Sequence, residues 1–342
     1  FDGAKPSKTY NLGTSASWEI DVFGKLTNAK RKSRAALEES DAYRLAVQTQ
    51  VVATVAANYY SLLMLDEQVD ITKATIKSWE EYVHSLRVLM KAGQADRSTI
   101  SQAEASRLSA ESTLQDLLQQ VNELENTLST FLGRIPGPIK RGKLNGQTFP
   151  QELSAGVSLD LVSRRPDVRE AEASLKQAFY STNQARSAFY PSITLSGSAG
   201  WTNSGGAAIT NPGSWLLQAV GSLVQFNRGT NIANLKIAKA QQQEAVFTFR
   251  QALLDAGSEV NNALTQWQTA RNKIELATKQ IQHLETTEHD TQLLMKYGTT
   301  NYLEVLVARQ SLLSARLNLV ADRYSEIEGV INLYHALGGG TE

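Results

Sequence analysis

Polar and apolar residues alternate near the start of the chain. Tyr10, Leu12, Ala16, Trp18, Ile20 and Val22 share one parity, with Thr14 as the polar exception, and Asn11, Gly13, Ser15, Ser17, Glu19 and Asp21 share the other. Period two marks a strand with one apolar and one polar face, so a strand is expected over 10–23. A strand of about ten residues or more crosses a bilayer core when tilted. A half-buried strand in a globular domain shows the same alternation and is the commoner case. Gly24 then ends the pattern. From Lys25 to Lys91 there is neither proline nor glycine, which predicts a single helix over 25–92, roughly 100 Å long at the helical rise. Gly93 breaks it. A second helix is expected over 96–132, with Asp96 as N-cap.

Residues 134–157 hold Pro136, Pro138 and Pro150 among several glycines and read as a linker. Helix signals resume over 159–189, where Pro166 and Asp167 suit a first turn. Ile193 and Leu195 alternate with Ser192, Thr194, Ser196 and Ser198, giving a strand over 191–201 that Trp201 closes. A Gly-, Asn- and Ser-rich loop separates it from a third strand over 214–225, so a hairpin is expected. The chain is then proline-free through a long helix, 228–297, a turn at Gly298 and a shorter helix, 301–337. Val246, Leu253, Val260, Trp267, Ile274 and Ile281 recur every seven residues, and Phe249, Ala256, Ala263, Ala270, Ala277 and Leu284 follow three later. These are the a and d positions of a coiled coil, and the alanine-rich d stripe implies close helix approach. Val55, Leu62, Val69, Ile76, Val83 and Met90 form a looser version in the first long helix.

The two halves repeat with an offset of 205 residues: Leu89-Met90-Lys91-Ala92-Gly93 matches Leu294-Met295-Lys296-Tyr297-Gly298, and Ala103, Ser106 and Leu108 align with Ala308, Ser311 and Leu313. The organisation is therefore a first repeat, 1–133, the linker, 134–157, and a second repeat, 158–340. Each repeat carries strand, long helix, glycine turn and shorter helix.

Composition narrows the function. Lys plus Arg and Asp plus Glu both number 34, so the formal charge is zero, which argues against a nucleic-acid binder. Cysteine is absent, which excludes disulfides, thiolate metal sites and a cysteine nucleophile. No run of about 18 apolar residues offers a transmembrane helix, so a membrane would have to be crossed by strands. His84, His283, His289 and His335 fall in no metal-binding spacing. Glu104 and Glu111 lie on charged helix faces with no paired-acid arrangement. No catalytic centre, metal or cofactor is expected.

Four stretches then carry a resemblance: WEIDVFG at 18–24, LVSRRPDVREAE at 161–172, ARSAFYPSITLSGS at 185–198, and YLEVL at 302–306 leading to NLYHALGGG at 332–340. Together they resemble the TolC-type outer-membrane channel family, in the NodT-like lipoprotein branch that serves resistance-nodulation-division pumps. The resemblance covers nearly the whole chain. It implies a mainly α protein whose coiled-coil hairpins build a periplasmic α-barrel and whose β-hairpin contributes to a shared trimeric β-barrel. It implies a homotrimer in the bacterial outer membrane, mostly periplasmic, which contacts outer-membrane lipid, a periplasmic adaptor and an inner-membrane transporter and exports drugs or other small molecules. The family pattern has four strands and an N-terminal signal and helix, against three strands and none of that leader here. The chain thus reads as a protomer missing its first segment. Two family residues, Pro-Leu, are also lacking ahead of Phe226. The alternative is a soluble or periplasmic coiled-coil scaffold or adaptor.

By the same resemblance, Leu303 and Val307 lie on the inward face of a tip helix and form two stacked rings as the channel gate. Family members often carry Asp at the second position, so an apolar gate is expected here. The bland reading is coiled-coil packing. Gly93 and Gly298, with Lys91, Lys296 and Tyr297, would form the helix-hairpin tips that dock the adaptor, and Arg87 could join Lys91, Lys296 and Tyr297 in latching neighbouring tips. Such residues are more often solvated. Trp18, Trp201 and Trp215 are membrane-interface aromatics in this picture, although each alone is more often simple packing.

Overall fold

A computed structural model describes residues 9–93, 95–144, 164–204, 215–222, 228–296 and 302–341. The element order is β1 (Thr9–Ile20), α1 (Lys25–Lys91), α2 (Arg97–Phe131), α3 (Pro166–Ser187), β2 (Ser192–Ser204), β3 (Trp215–Ser222), α4 (Arg228–Lys296) and α5 (Tyr302–Ala336). The long helices follow from what their sequences lack: nothing between Lys25 and Lys91 removes a backbone donor or favours a turn. Corresponding elements keep the repeat offset. Lys91 and Lys296 close α1 and α4, and Arg97 and Tyr302 open α2 and α5, each pair 205 residues apart.

The strands form one antiparallel sheet in the order β1-β2-β3. Opposite residues in an antiparallel ladder fall on the same face. Trp18 pairs with Leu195, Ile20 with Ile193 and Ala16 with Gly197, whereas Ser17 pairs with Ser196, Ser15 with Ser198 and Glu19 with Thr194. The register therefore gathers the apolar positions of β1 and β2 on one face and the hydroxyl-bearing positions on the other. β3 is apolar at both parities, with Leu217 opposite Gly197 and Ala219 opposite Leu195, but also Leu216 opposite Ser198 and Val220 opposite Thr194.

Two strand ends differ from the sequence expectation. β1 stops at Ile20 instead of reaching residue 23, because the Asp21 carboxylate turns to cap α1, accepting from Leu26 N at 3.0 Å and Thr27 N at 2.7 Å. The Thr27 hydroxyl, as the largest cause, and then these backbone N–H groups hold the Asp21 carboxyl below its usual range. Gly24, at φ +74°, makes the turn. β2 runs to Ser204, past Trp201, because Thr9, Tyr10 and Asn11 continue the ladder with Ser204, Asn203 and Thr202. The third strand is Trp215–Ser222; residues 223–225 lie outside the described residues, as do 159–163 of the expected third helix.

Packing divides the chain into two units, which cut across the repeat. The first comprises Phe1–Arg44 and Pro166–Leu253. Many of its buried helix positions are alanines, Ala35, Ala42, Ala173 and Ala238 among them, so helix backbones approach closely there. Thr182 donates to the Ala238 carbonyl at 3.1 Å across such an approach, and Gln177 donates to Glu39. At the sheet end, Phe23 stacks on Tyr190 with ring centroids 4.6 Å apart.

The second unit comprises Leu45–Arg165 and Leu254–Glu342. Here the heptad positions Ala256, Val260, Ala263, Trp267, Ala270 and Ala277 are buried, as a coiled-coil seam requires. Gly329 of α5 lies against the Trp267 backbone of α4, so closely that a Cβ there would press on it. Between α2 and α3 the extended stretch 134–144 is tied down by Arg141, which forks to Asp66 of α1 and Glu125 of α2. Leu144 then enters a cluster with Leu63, Val320 and Ile327. No described helix is long and apolar enough to cross a membrane.

Candidate functional site

The glycine-turn end of the second unit assembles most of the residues singled out above. Gly93 ends α1 at φ +76° and donates to the Met90 carbonyl at 3.0 Å. Lys91 is exposed in the last turn, where a cation complements the helix dipole. Asp96 caps α2, accepting from Thr99 N at 2.7 Å and Thr99 Oγ1 at 2.9 Å. Lys296 closes α4; its side chain, Tyr297 and Gly298 lie outside the described residues. Arg87 is paired with Glu104 of α2 in the same chain.

Behind the turns, α1, α2, α4 and α5 share one core. Trp79, Tyr82, Val83 and Leu86 pack with Ile100 and Ala103 and with Val305 and Leu306, flanked by Met295 and Tyr302. Burial pushes the Tyr82 phenol up to about 12, and its hydroxyl donates to Met295 Sδ at 3.8 Å.

This core fixes which face of α5 remains outside. Val305, Leu306 and Ala308 are buried, whereas Leu303 and Val307 are 50% and 58% exposed. The two lie one turn apart and are followed on the same stripe by exposed Gln310 and Ser314. Packing inside the chain therefore does not explain these apolar side chains. The repeat sharpens the point: 205 residues earlier, at the same places on α2, stand Ser98 and Gln102. Among the buried positions, Ile100 matches Val305 and Ala103 matches Ala308, whereas buried Leu306 stands where α2 has exposed Ser101.

One central residue escaped sequence reasoning. Arg309 projects from α5 into the shared core, its side chain only 12% exposed. Its Nε lies 3.0 Å from Glu288 Oε1 of α4, and its Nη1 donates to the Ser78 carbonyl of α1 at 3.0 Å. The guanidinium sits 4.5 Å from the Tyr82 ring centroid and 5.6 Å from that of Trp79, within cation–π range. Burial lowers its pKa, and Glu288 opposes the shift. The one sequence signal for it is a charge reversal, since the repeat aligns Arg309 with Glu104.

At the sheet, Trp18 is exposed on the apolar parity. Trp201 and Trp215 occupy register positions opposite Leu12 and Ala199. Trp201 lies six residues from Trp18 along the ladder, about 20 Å at the strand rise. Among the described residues, no group of three or more His, Cys, Asp or Glu side chains is placed to hold a metal ion.

A two-faced antiparallel sheet whose strands run into very long helices defines a membrane channel protein that spans its bilayer with strands. The outer membrane efflux protein family profile matches residues 3–134 and 158–339, and the chain belongs to that family. It is an outer-membrane efflux channel. The probable outer membrane lipoprotein SilC of Salmonella typhimurium is 31% identical over 345 residues, covering 99% of this chain and 74% of that protein. The cation efflux system protein CusC of Escherichia coli K12 is 30% identical over 343 residues, covering 98% and 74%. A solved structure of CusC superposes with a TM-score of 0.90 at 26% identity, covering 98% of this chain and 83% of that one. The open state of the Neisseria gonorrhoeae MtrE channel superposes with a TM-score of 0.86 at 29% identity, covering 99% and 80%.

Proposed function

We propose that the chain works as a homotrimeric, passive exit duct in a tripartite efflux pump, gated at its glycine-turn end by stacked rings of Leu303 and Val307. The observation that carries the gate is the pair of apolar side chains left exposed on α5 where the repeat has Ser98 and Gln102 on α2. Three copies bring such positions together around one axis. A narrow apolar ring closes a water-filled path by dewetting, without a charged barrier. Gly93, Lys91, Gly298, Lys296 and Tyr297 form the tips that receive a periplasmic adaptor, which links the duct to an inner-membrane transporter.

Within the described sheet, β1 and β3 are the edges. Edges in lipid need partners, and closure with neighbouring copies supplies them. Trp18, Trp201 and Trp215 serve as interface anchors, an aromatic role common in outer-membrane barrels. The cation-efflux relative CusC supports an exporting role.

The test is single-channel recording in planar bilayers. Leu303→Ser with Val307→Ser is expected to raise conductance severalfold; unchanged conductance rejects the gate. Mass measurement of the detergent-solubilised protein is expected to give three copies, and a monomer rejects the assembly.

A further inference from the structure

Leu303 and Val307 face outward from α5, so something on its other side must fix where they stand. Val305 and Leu306 supply apolar packing, which is non-directional. Directional contact comes two residues after Val307. There Arg309 donates to the Ser78 carbonyl of α1 and lies over the faces of Tyr82 and Trp79, and its charge pairs with Glu288 of α4, although its buried Nε makes no hydrogen bond.

We propose that Arg309 is a positioning residue for the gate: it pins the first turns of α5 to α1 and α4 and so sets the placement of Leu303 and Val307. The proposal rests on the gate reading above.

Three features support this role over simple structural filling. First, a guanidinium keeps its charge at every physiological pH, so the link persists through changes that would release a histidine. Second, the equivalent place in the other hairpin carries an exposed pair instead, Arg87 with Glu104, whose side chains are 60% and 36% exposed. The buried pin thus belongs to the hairpin that bears the apolar pair. Third, the packing beside it is incomplete. A half-open cleft of about 80 Å³ lies against Arg309, lined also by Thr75, Ser78, Trp79, Glu288 and Arg316. That space exceeds the 10–15 Å³ or so that a water needs, and its lining is partly polar. Close-packed cores resist small displacements; a helix beside such a space moves with less resistance, so its position depends more on the pin. Arg316 makes a further α5-to-α4 pair with Glu285 at 2.7 Å, on half-exposed side chains.

The experiment combines hydrogen exchange with conductance on the trimer. Arg309→Met is expected to speed exchange over residues 302–312 about tenfold, to leave 320–336 unchanged, and to raise conductance toward that of the Leu303→Ser, Val307→Ser protein. Glu288→Gln is expected to act alike, and combining it with Arg309→Met to add little. Arg309→Lys keeps the cation without the planar fork and is expected to fall between; it also serves if the methionine variant does not assemble. Lys273→Met, which breaks an α4-to-α5 pair with Asp322 farther along, is expected to leave exchange over 302–312 and conductance as in the parent. Unchanged exchange at 302–312 in both Arg309 variants overturns the proposal. So does faster exchange with parental conductance when the serine double variant conducts more, because Arg309 then holds the helix without setting the gate. If the serine double variant conducts like the parent, the gate reading itself falls and the proposal with it.

Discussion

Gly329 and Gly257 give a matched pair in which one substitution should have opposite signs. Both sit inside long helices, Gly257 in α4 and Gly329 in α5. Alanine gains about 1 kcal/mol over glycine in a helix interior, largely by restricting the unfolded chain. At Gly257 a Cβ meets nothing within 4 Å, so the gain is expected undiminished. At Gly329 the Cβ would stand 3.0 Å from Trp267 N and 3.1 Å from both its Cα and Cβ. Carbon contacts are most favourable at about 3.5–4.0 Å. The obstructing atoms are mainly helix backbone, which cannot rotate away, and Trp267 is itself buried. Overpacking of this kind costs about 1–3 kcal/mol. The sum for Gly329→Ala runs from neutral to roughly 2 kcal/mol of destabilisation, and Gly329→Val should be worse, since its propensity gain is smaller and its volume larger. Thermal unfolding of the detergent-solubilised protein, followed by helical circular dichroism, separates the cases. Gly257→Ala should raise Tm and Gly329→Ala should not. A rise for Gly329→Ala equal to that for Gly257→Ala would refute the close-approach reasoning.

Two further outcomes are expected. Tyr82 and Tyr324 are both pushed up to about 12 by burial. Their folded pKa lies above the unfolded value near 10, so their contribution to stability is complete below about pH 10 and is lost as pH rises through 12. Alkaline absorbance titration should show a late phenolate component that shrinks in Tyr82→Phe; an unchanged late component rejects the burial argument. Arg141→Met should release the 134–144 stretch from α1 and α2, since it removes a fork from two carboxylates at once. The cost should approach roughly 2–3 kcal/mol, below the fully buried case because Asp66 is partly exposed. Faster tryptic cleavage after Arg134, Lys140 and Lys143 would register it, and parental cleavage rates would count against the clamp.

Local grammar carried much of the fold. The proline- and glycine-free stretch beginning at Lys25 is one helix because nothing in it interrupts the ladder, and Asp96 caps α2 because its carboxylate reaches two donors of the first turn. The heptad positions of α4 from Ala256 to Ala277 supply its buried seam because a periodic stripe names its own inner face. Local grammar failed where a distant partner decides. β2 lengthens past Trp201 because residues near the chain start extend the ladder, and Asp21 leaves the strand alternation to serve a helix end. Arg309 was invisible for the same reason: its partners Ser78 and Tyr82 lie more than two hundred residues away. A charged residue two places from the apolar pair reads as surface until those partners are known. The apolar pair itself was legible only as a face, and its exposure needed the neighbouring helices to be in place.

The paired register of the sheet also constrains how this chain can vary in length. Trp18 stands opposite Leu195 and Ser17 opposite Ser196, so each strand is read in steps of two. Inserting one residue after Thr14 would send Ala16, Trp18 and Ile20 to the hydroxyl-bearing face and bring Ser15 and Ser17 to the apolar one. Inserting two would restore every residue to its side and merely lengthen the strand. Strand length in this protein is therefore quantised: odd insertions turn the wall inside out, even ones change its height.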